Sequence, residues 1–210
     1  MSQVTKRTPK GERARGQILD AAEQLFARSG FHGTSVRDVA TQLEIPTASL
    51  LHHFPRKERL YGAVLERIAG QLEVALTSAV RGGTDYGSKL RRLTRKFAQW
   101  SLRRPDHCTL LLRELLDNAP RIAEARRLHL QPVVEKFASF IREGQRAGVF
   151  RPIDPVMFVI HLAGSTSYFV VVQPTLARVV QRSPAAIEKD YRKDLAAMIE
   201  RVVLVDPPAA

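Results

Sequence analysis

The side chains of this chain that could do chemistry crowd most closely between Thr34 and Lys57, and the chemistry they suit is recognition. Hydroxyls (Ser35, Thr47, Ser49), a guanidinium (Arg37), two imidazoles (His52, His53) and an ammonium (Lys57) follow one another there. Groups of this kind donate to phosphate oxygens and to base edges. No catalytic constellation competes with them. The sequence has no nucleophile elbow, no phosphate-cradling glycine loop and no closely spaced carboxylate pair backed by a histidine. Gly164-Ser165-Thr166-Ser167 fits a small-residue packing site better than a nucleophile. His107, His129 and His161 lack metal-ligand spacing, so neither an enzyme nor a metal or cofactor site is expected.

The elements that must hold these side chains are two short helices and a tight turn. Ser35 with Asp38 three residues on is a capping box, which opens a helix running to Leu43 with Val36, Val39, Ala40 and Leu43 on one face. Pro46 suits a first helical turn, where its missing N–H would have had no partner, so a second helix is expected over roughly 46–53. Apart from Ile45, Leu50 and Phe54, that helix is mostly polar or small. Burial alone does not justify it, and its outer face is left for a partner. Upstream, Ile18, Ala21, Ala22, Leu25 and Phe26 recur at helical spacing between Arg13 and Ser29, and Gly30 stands where a helix C′ residue belongs. Three helices around one small core form a helix-turn-helix.

The partner should be a polyanion. Among 210 residues, 33 Lys and Arg oppose 21 Asp and Glu, a formal net charge of +12. Met1 to Glu12 carries Lys6, Arg7 and Lys10 with almost no large apolar side chain and reads as a disordered basic arm. A second cluster, Lys89, Arg91, Arg92, Arg95, Lys96, Arg103 and Arg104, reads first as a solvated helix face and second as an auxiliary phosphate-contacting surface. The N-terminus is polar and basic, without the apolar core of a secretory signal. Cys108 is the only cysteine, which excludes an intrachain disulfide, fits a reducing bacterial cytoplasm and suits a buried thiol.

The rest of the chain is also helical, giving an all-α fold of about nine helices. A fourth helix runs from Lys57 to about Val80 with no linker before it, stopping at Gly82-Gly83. Leu90, Leu93, Phe97 and Trp100 mark a fifth, ending near Pro105; Leu110, Leu111, Leu112, Leu115 and Leu116 mark a sixth, ended by Pro120. The seventh is expected over roughly 121–147 with a kink or break at Pro132. Asp154-Pro155 and Ser183-Pro184 open the eighth, to about Gln173, and the ninth; residues 206–210 should fray. The eighth is apolar nearly all round, yet its run is broken by His161, Gly164 and Ser165, which argues against a membrane span. A helix of that kind must be covered on both sides. The ninth covers one side, and a second copy of the chain is expected on the other, giving a homodimer through 154–173 and 184–204.

Arg13 to Lys57 resembles the N-terminal domain of TetR-family transcriptional regulators. The resemblance is carried by Ile-Leu-Asp-Ala-Ala-Glu-Gln-Leu-Phe-Ala-Arg-Ser-Gly-Phe, Thr-Ser-Val-Arg-Asp-Val-Ala and Leu-His-His-Phe-Pro-Arg-Lys-Glu. It implies a DNA-binding domain over 13–57, a helical regulatory and dimerisation domain over 58–205, a palindromic operator in double-stranded DNA, and release by a small molecule. It further implies that Ser35 and Arg37 face DNA, that Thr47, Ala48, Ser49, Leu51 and His52 occupy the recognition helix, and that Lys57 touches a phosphate. In two places the chain departs from the family pattern: Glu44 replaces a turn glycine and Leu51 a tyrosine. Glu44 should therefore sit in a left-handed turn or reshape it.

For the effector, Phe97, Trp100, Leu111, Phe137 and Tyr168 could line an apolar pocket, with His107 and His161 as polar anchors. Such a lining suits an aromatic or acyl ligand over a highly charged one. The rival reading is a structural protein that coats DNA without a ligand.

Overall fold

A computed structural model of the chain describes residues 9–117 and 130–205. Among the described residues there are nine helices: α1 (Pro9–Ser29), α2 (Val36–Gln42), α3 (Thr47–His53), α4 (Lys57–Arg81), α5 (Tyr86–Arg103), α6 (Pro105–Asp117), α7 (Gln131–Arg146), α8 (Pro155–Val179) and α9 (Pro184–Val203). One isolated antiparallel bridge joins Phe150 to Leu204.

Local chemistry explains most helix ends. Ser35 and Asp38 close the capping box of α2 reciprocally, and Asp85 with Ser88 repeats the device for α5. The Asp154 carboxylate accepts from the amides of Val156 and Met157, and the Ser183 hydroxyl from that of Ala186, each just ahead of a proline. Gly30 (φ 72°) and Gly148 (φ 70°) take the left-handed conformation that follows a helix.

Several expected boundaries move. α1 begins at Pro9 rather than Arg13, so only residues 1–8 of the expected basic arm remain ahead of it, and these lie outside the described residues. Proline tolerates a first turn, and Glu12 in that turn complements the helix dipole. Pro46 is the N-cap of α3, not its first residue. Pro105 opens α6 as well as following α5. Pro132 lies in the first turn of α7, which begins at Gln131; the stretch from Arg121 that was expected to belong to this helix, like Pro120 and His129, falls outside the described residues. α8 continues past Gln173 to Val179 with Pro174 inside it. The expected fraying of 206–210 also lies outside the described residues.

Two cores result. The N-terminal one gathers Ile18, Ala22 and Phe26 of α1, Val39 and Leu50 of α2 and α3, and Phe54. It is larger than the three helices alone, because Leu60, Tyr61, Val64, Leu65 and Ile68 of α4 and Leu110 of α6 complete it. The second core holds Leu72, Leu76 and Ala79 of α4 with Leu90, Leu93, Phe97, Phe137, Ile141, Phe158, Leu195 and Ile199. α4 is thus one unbroken helix whose first half belongs to one core and second half to the other, and Trp100 packs against both. α8 is the described helix long and apolar enough to cross a membrane by length and composition, and it is packed against α5, α6, α7 and α9.

Candidate nucleic-acid interface

The entry into α2 is pinned before it is exposed. Thr34 is buried, and its hydroxyl donates to the Leu25 carbonyl oxygen at 3.2 Å, fixing the loop against α1. Ser35 follows, exposed: its backbone N–H donates to Asp38 Oδ2 at 2.7 Å and its Oγ accepts from the Asp38 N–H at 3.1 Å. The Ser35 backbone N–H, then its hydroxyl, hold the Asp38 carboxyl below the usual carboxylate range, so the cap is an anion at neutral pH. Arg37 is exposed on the same first turn.

The turn is the left-handed one. Glu44 has φ 54°, with its N–H donating to Thr41 O at 3.1 Å and the next amide, Ile45 N–H, reaching Ala40 O at 3.0 Å. Those bonds swing the chain into α3. There Leu50 is wholly buried and Phe54, just past the end, nearly so, which fixes the rotation of the helix. Ala48, Ser49, Leu51 and His52 are consequently exposed and Thr47 half-buried, and no acidic residue stands on the helix. His53 is half-buried and turned from this face, against the start of α4.

Lys57 does something its sequence did not announce. Its ammonium donates to the Phe31 carbonyl oxygen at 3.0 Å and lies 4.3 Å above the centre of the Phe31 ring, bracing the loop after α1. Two N–H groups remain for a phosphate. Three further cations flank the α3–α4 turn: Arg15, stacked 4.7 Å over the Phe54 ring, and the exposed Arg56 and Arg59. They line a groove of about 620 Å³ that Glu58 and Glu66 also border. Arg56 and Arg59, three apart at a helix start, were the available signal for it.

Ionisable side chains also tie α1 to α4 and α6. His107 of α6, fully buried, is 2.6 Å from Glu23 of α1 through Nε2, and Arg67 of α4 forks to Glu23 at 2.5 Å and Asp20 at 2.7 Å. Burial pushes the Glu23 carboxyl up, but the hydrogen bonds and charges of His107 and Arg67 prevail and hold it below the ordinary range.

The seven expected pocket residues are not brought together. Phe97 and Phe137 are second-core residues, Trp100 is half-buried at the junction of the cores, Leu111 is half-buried against the N-terminal core, and His107 is committed to Glu23. His161 and Tyr168 are exposed on α8, with Tyr168 at 69 %. A helix apolar all round offers no periodicity from which its inner face could be read. Phe158 and Phe169 of the same helix are buried. A cavity of about 360 Å³ lies between α4, α5 and α7, with Leu76, Val80, Leu93, Val133, Phe137 and Phe140 as its apolar wall. The Glu73–Lys136 ion pair (2.9 Å) crosses its rim, and the Thr77 oxygen is buried in its wall without a hydrogen-bond partner. Cys108 is buried and hydrogen-bonds weakly to Ser101 O; burial pushes its thiol up, so it is inert at neutral pH. No group of three or more His, Cys, Asp or Glu that could hold a metal occurs among the described residues.

Comparison with known proteins agrees with this geometry. Residues 18–64 match the model of bacterial regulatory proteins of the tetR family, and residues 88–203 match the tetracyclin repressor-like C-terminal domain. The HTH-type transcriptional regulator RutR of Escherichia coli is 28 % identical over 182 residues, 84 % of each chain. The HTH-type transcriptional repressor NicS of Pseudomonas putida is 25 % identical over 172 residues, 78 % of each. Among solved structures, the transcriptional regulator SCO4942 of Streptomyces coelicolor superposes with a TM-score of 0.69 at 26 % identity, covering 90 % of this chain and 97 % of that one.

Proposed function

The chain belongs to the TetR family of bacterial helix-turn-helix transcriptional regulators, and from that premise we propose that it is a homodimeric repressor released from a palindromic operator by a small, largely apolar effector. The observation that carries this reading is the α2–α3 surface, where Ser35, Arg37, Ala48, Ser49, Leu51 and His52 are all exposed on elements anchored by buried Leu50 and Phe54. Arg37 supplies a fork for guanine O6/N7 or a phosphate, Thr47 and Ser49 donate to phosphate or base edges, and the two spare N–H groups of Lys57 meet a phosphate at the start of α4. The site of action is the bacterial cytoplasm, where operator DNA lies.

Homodimerisation is supported by the uncovered apolar side of α8 and α9, where Met157, Ile160, Val171, Met198 and Val202 face outward. The effector site is assigned to the cavity between α4, α5 and α7. Its 360 Å³ falls in the range of small-molecule sites, its wall is largely apolar, and the buried Thr77 hydroxyl, without a hydrogen-bond partner, is a polar group that would orient a ligand. Repression, rather than activation, is proposed by analogy with the repressor NicS.

Footprinting of the whole chain on genomic fragments is expected to protect one palindrome with half-sites about 34–36 Å apart or a multiple. Arg37→Ala should weaken binding by roughly tenfold or more while the dimer persists in size-exclusion chromatography. Unchanged affinity in that variant would defeat the DNA-facing assignment, and uniform coating of any duplex would instead favour a structural DNA-binding protein. A thermal-shift screen of small aromatic and acyl compounds tests the effector reading. A stabilising compound must also release the operator.

A further inference from the structure

We infer that Leu51 reads the C5 methyl group of a thymine in the major groove, making a thymine at one position of each half-site a determinant of operator choice. The inference rests on the DNA-facing reading of α2 and α3.

The side chain is not needed for folding. Leu50, its neighbour, is wholly buried in the N-terminal core, whereas Leu51 is 40 % exposed, and one helical residue of rotation separates the two roles. Leu51 also does not stand alone. Thr47 and Ala48, four and three residues earlier, lie on the same side of the helix, so the Thr47 methyl, the Ala48 methyl and the Leu51 isobutyl group form one short apolar ridge. On the elements flanking that ridge the cations Arg37, Arg56, Lys57 and Arg59 outnumber the acids Asp38, Glu44 and Glu58, and α3 itself carries no acid. A protein partner for an apolar strip normally presents apolar surface, but charge of this sign draws the strip against a polyanion. In B-DNA the apolar feature offered to a major-groove helix is the thymine C5 methyl. A hydroxyl-bearing side chain here would reach for a phosphate; a leucine has no donor and gains only by removing a methyl from water.

The gain is small, specific and measurable. Covering one methyl is worth about fourfold in affinity per half-site, and about fifteenfold when both half-sites change together. The test uses the full-length chain and its footprinted palindrome, with each thymine replaced in turn by deoxyuridine, which deletes the methyl and leaves the Watson–Crick face unchanged. Wild-type protein should lose about fourfold per half-site at one symmetric thymine position, by fluorescence anisotropy at fixed salt. Leu51→Ala and Leu51→Gln should bind the thymine and uracil duplexes alike at that position, while Leu51→Met, which keeps an apolar tip, should restore the discrimination. Circular dichroism of the three variants should match wild type, since the side chain lies outside the core. Equal wild-type binding to every thymine and uracil pair would overturn the inference, as would full discrimination surviving in Leu51→Ala. Loss of discrimination in Ala48→Gly but not in Leu51→Ala would overturn the assignment to Leu51. If Arg37→Ala also binds as wild type, the fault lies with the DNA-facing reading itself.

Discussion

Glu44 holds φ 54°, a conformation that places an L residue's Cβ too near its own carbonyl and that glycine adopts without penalty. The turn needs that angle, because it lets the Glu44 and Ile45 amides reach back to Thr41 and Ala40 while the chain turns into α3. The strain is therefore retained by the surrounding hydrogen bonds. Glu44→Gly is expected to stabilise the chain by about 0.5–1 kcal/mol, the relieved strain being partly offset by the greater freedom of an unfolded glycine. Glu44→Val should destabilise it, since a β-branched residue fits this region worst. Urea denaturation measures both, and a Glu44→Gly variant less stable than wild type would show that the side chain contributes more than the backbone strain takes away. The same residue shows what a sequence makes legible: the helix-turn-helix pattern located the turn, and its left-handed angle followed from needing a glycine conformation where glutamate stands. Lys57 shows the opposite, because nothing local to its position reveals that Phe31, 26 residues earlier, supplies its acceptor.

At the scale of elements, the contact among α1, α4 and α6 joins the reading head to the rest. Glu23 receives His107 from α6 and Arg67 from α4, so three helices converge on one carboxylate of which little is exposed. Its acidity is raised relative to the unfolded chain, which sets the sign of a pH effect. The unfolded state binds the proton more readily, so the stabilisation is fully present above the ordinary glutamate range and is lost as pH falls through that range and the depressed folded value. Glu23→Gln should lose about 1–3 kcal/mol at pH 7 and show a shallower loss of stability on acidification across that window. Equal slopes in chemical denaturation from pH 6 to pH 3 would remove Glu23 from the acid response. Helix starts were the most legible elements, since the capping box of α2 and the Asp154-Pro155 and Ser183-Pro184 pairs are local signals. Prolines were less so: Pro132 suits a first turn as well as a kink, and Pro174 lies inside a helix that its neighbours hold in place. The Glu23–His107 contact spans 84 residues, beyond the reach of any local pattern.

At the scale of the whole molecule, the outer side of α8 and α9 is the surface on which the proposed homodimer would form. Phe158, Leu162, Thr166 and Phe169 turn inward, while Met157, Ile160, His161, Gly164 and Tyr168 recur three or four residues apart on the other side. A Cβ at Gly164 would meet nothing within 4 Å, so the middle of this stripe is open enough for a second backbone to approach. Met198 and Val202, 48 % and 49 % exposed, extend it on α9. The apolar character of these helices was readable in the sequence, but which side of α8 faced outward was not, and His161 and Tyr168 consequently belong to the proposed interface instead of a pocket. Two-fold symmetry doubles every substitution there. Ile160→Glu with Met198→Glu removes two apolar contacts per subunit and places carboxylates where they have no partner. At about 1.5–3 kcal/mol for each buried side chain, four such losses should weaken association by several orders of magnitude. Light scattering at micromolar concentration should then report a monomer with an unchanged helical spectrum, binding a single half-site far more weakly than the palindrome binds the dimer. A variant that remains dimeric would place the interface elsewhere, and with it the geometry that fixes the half-site spacing.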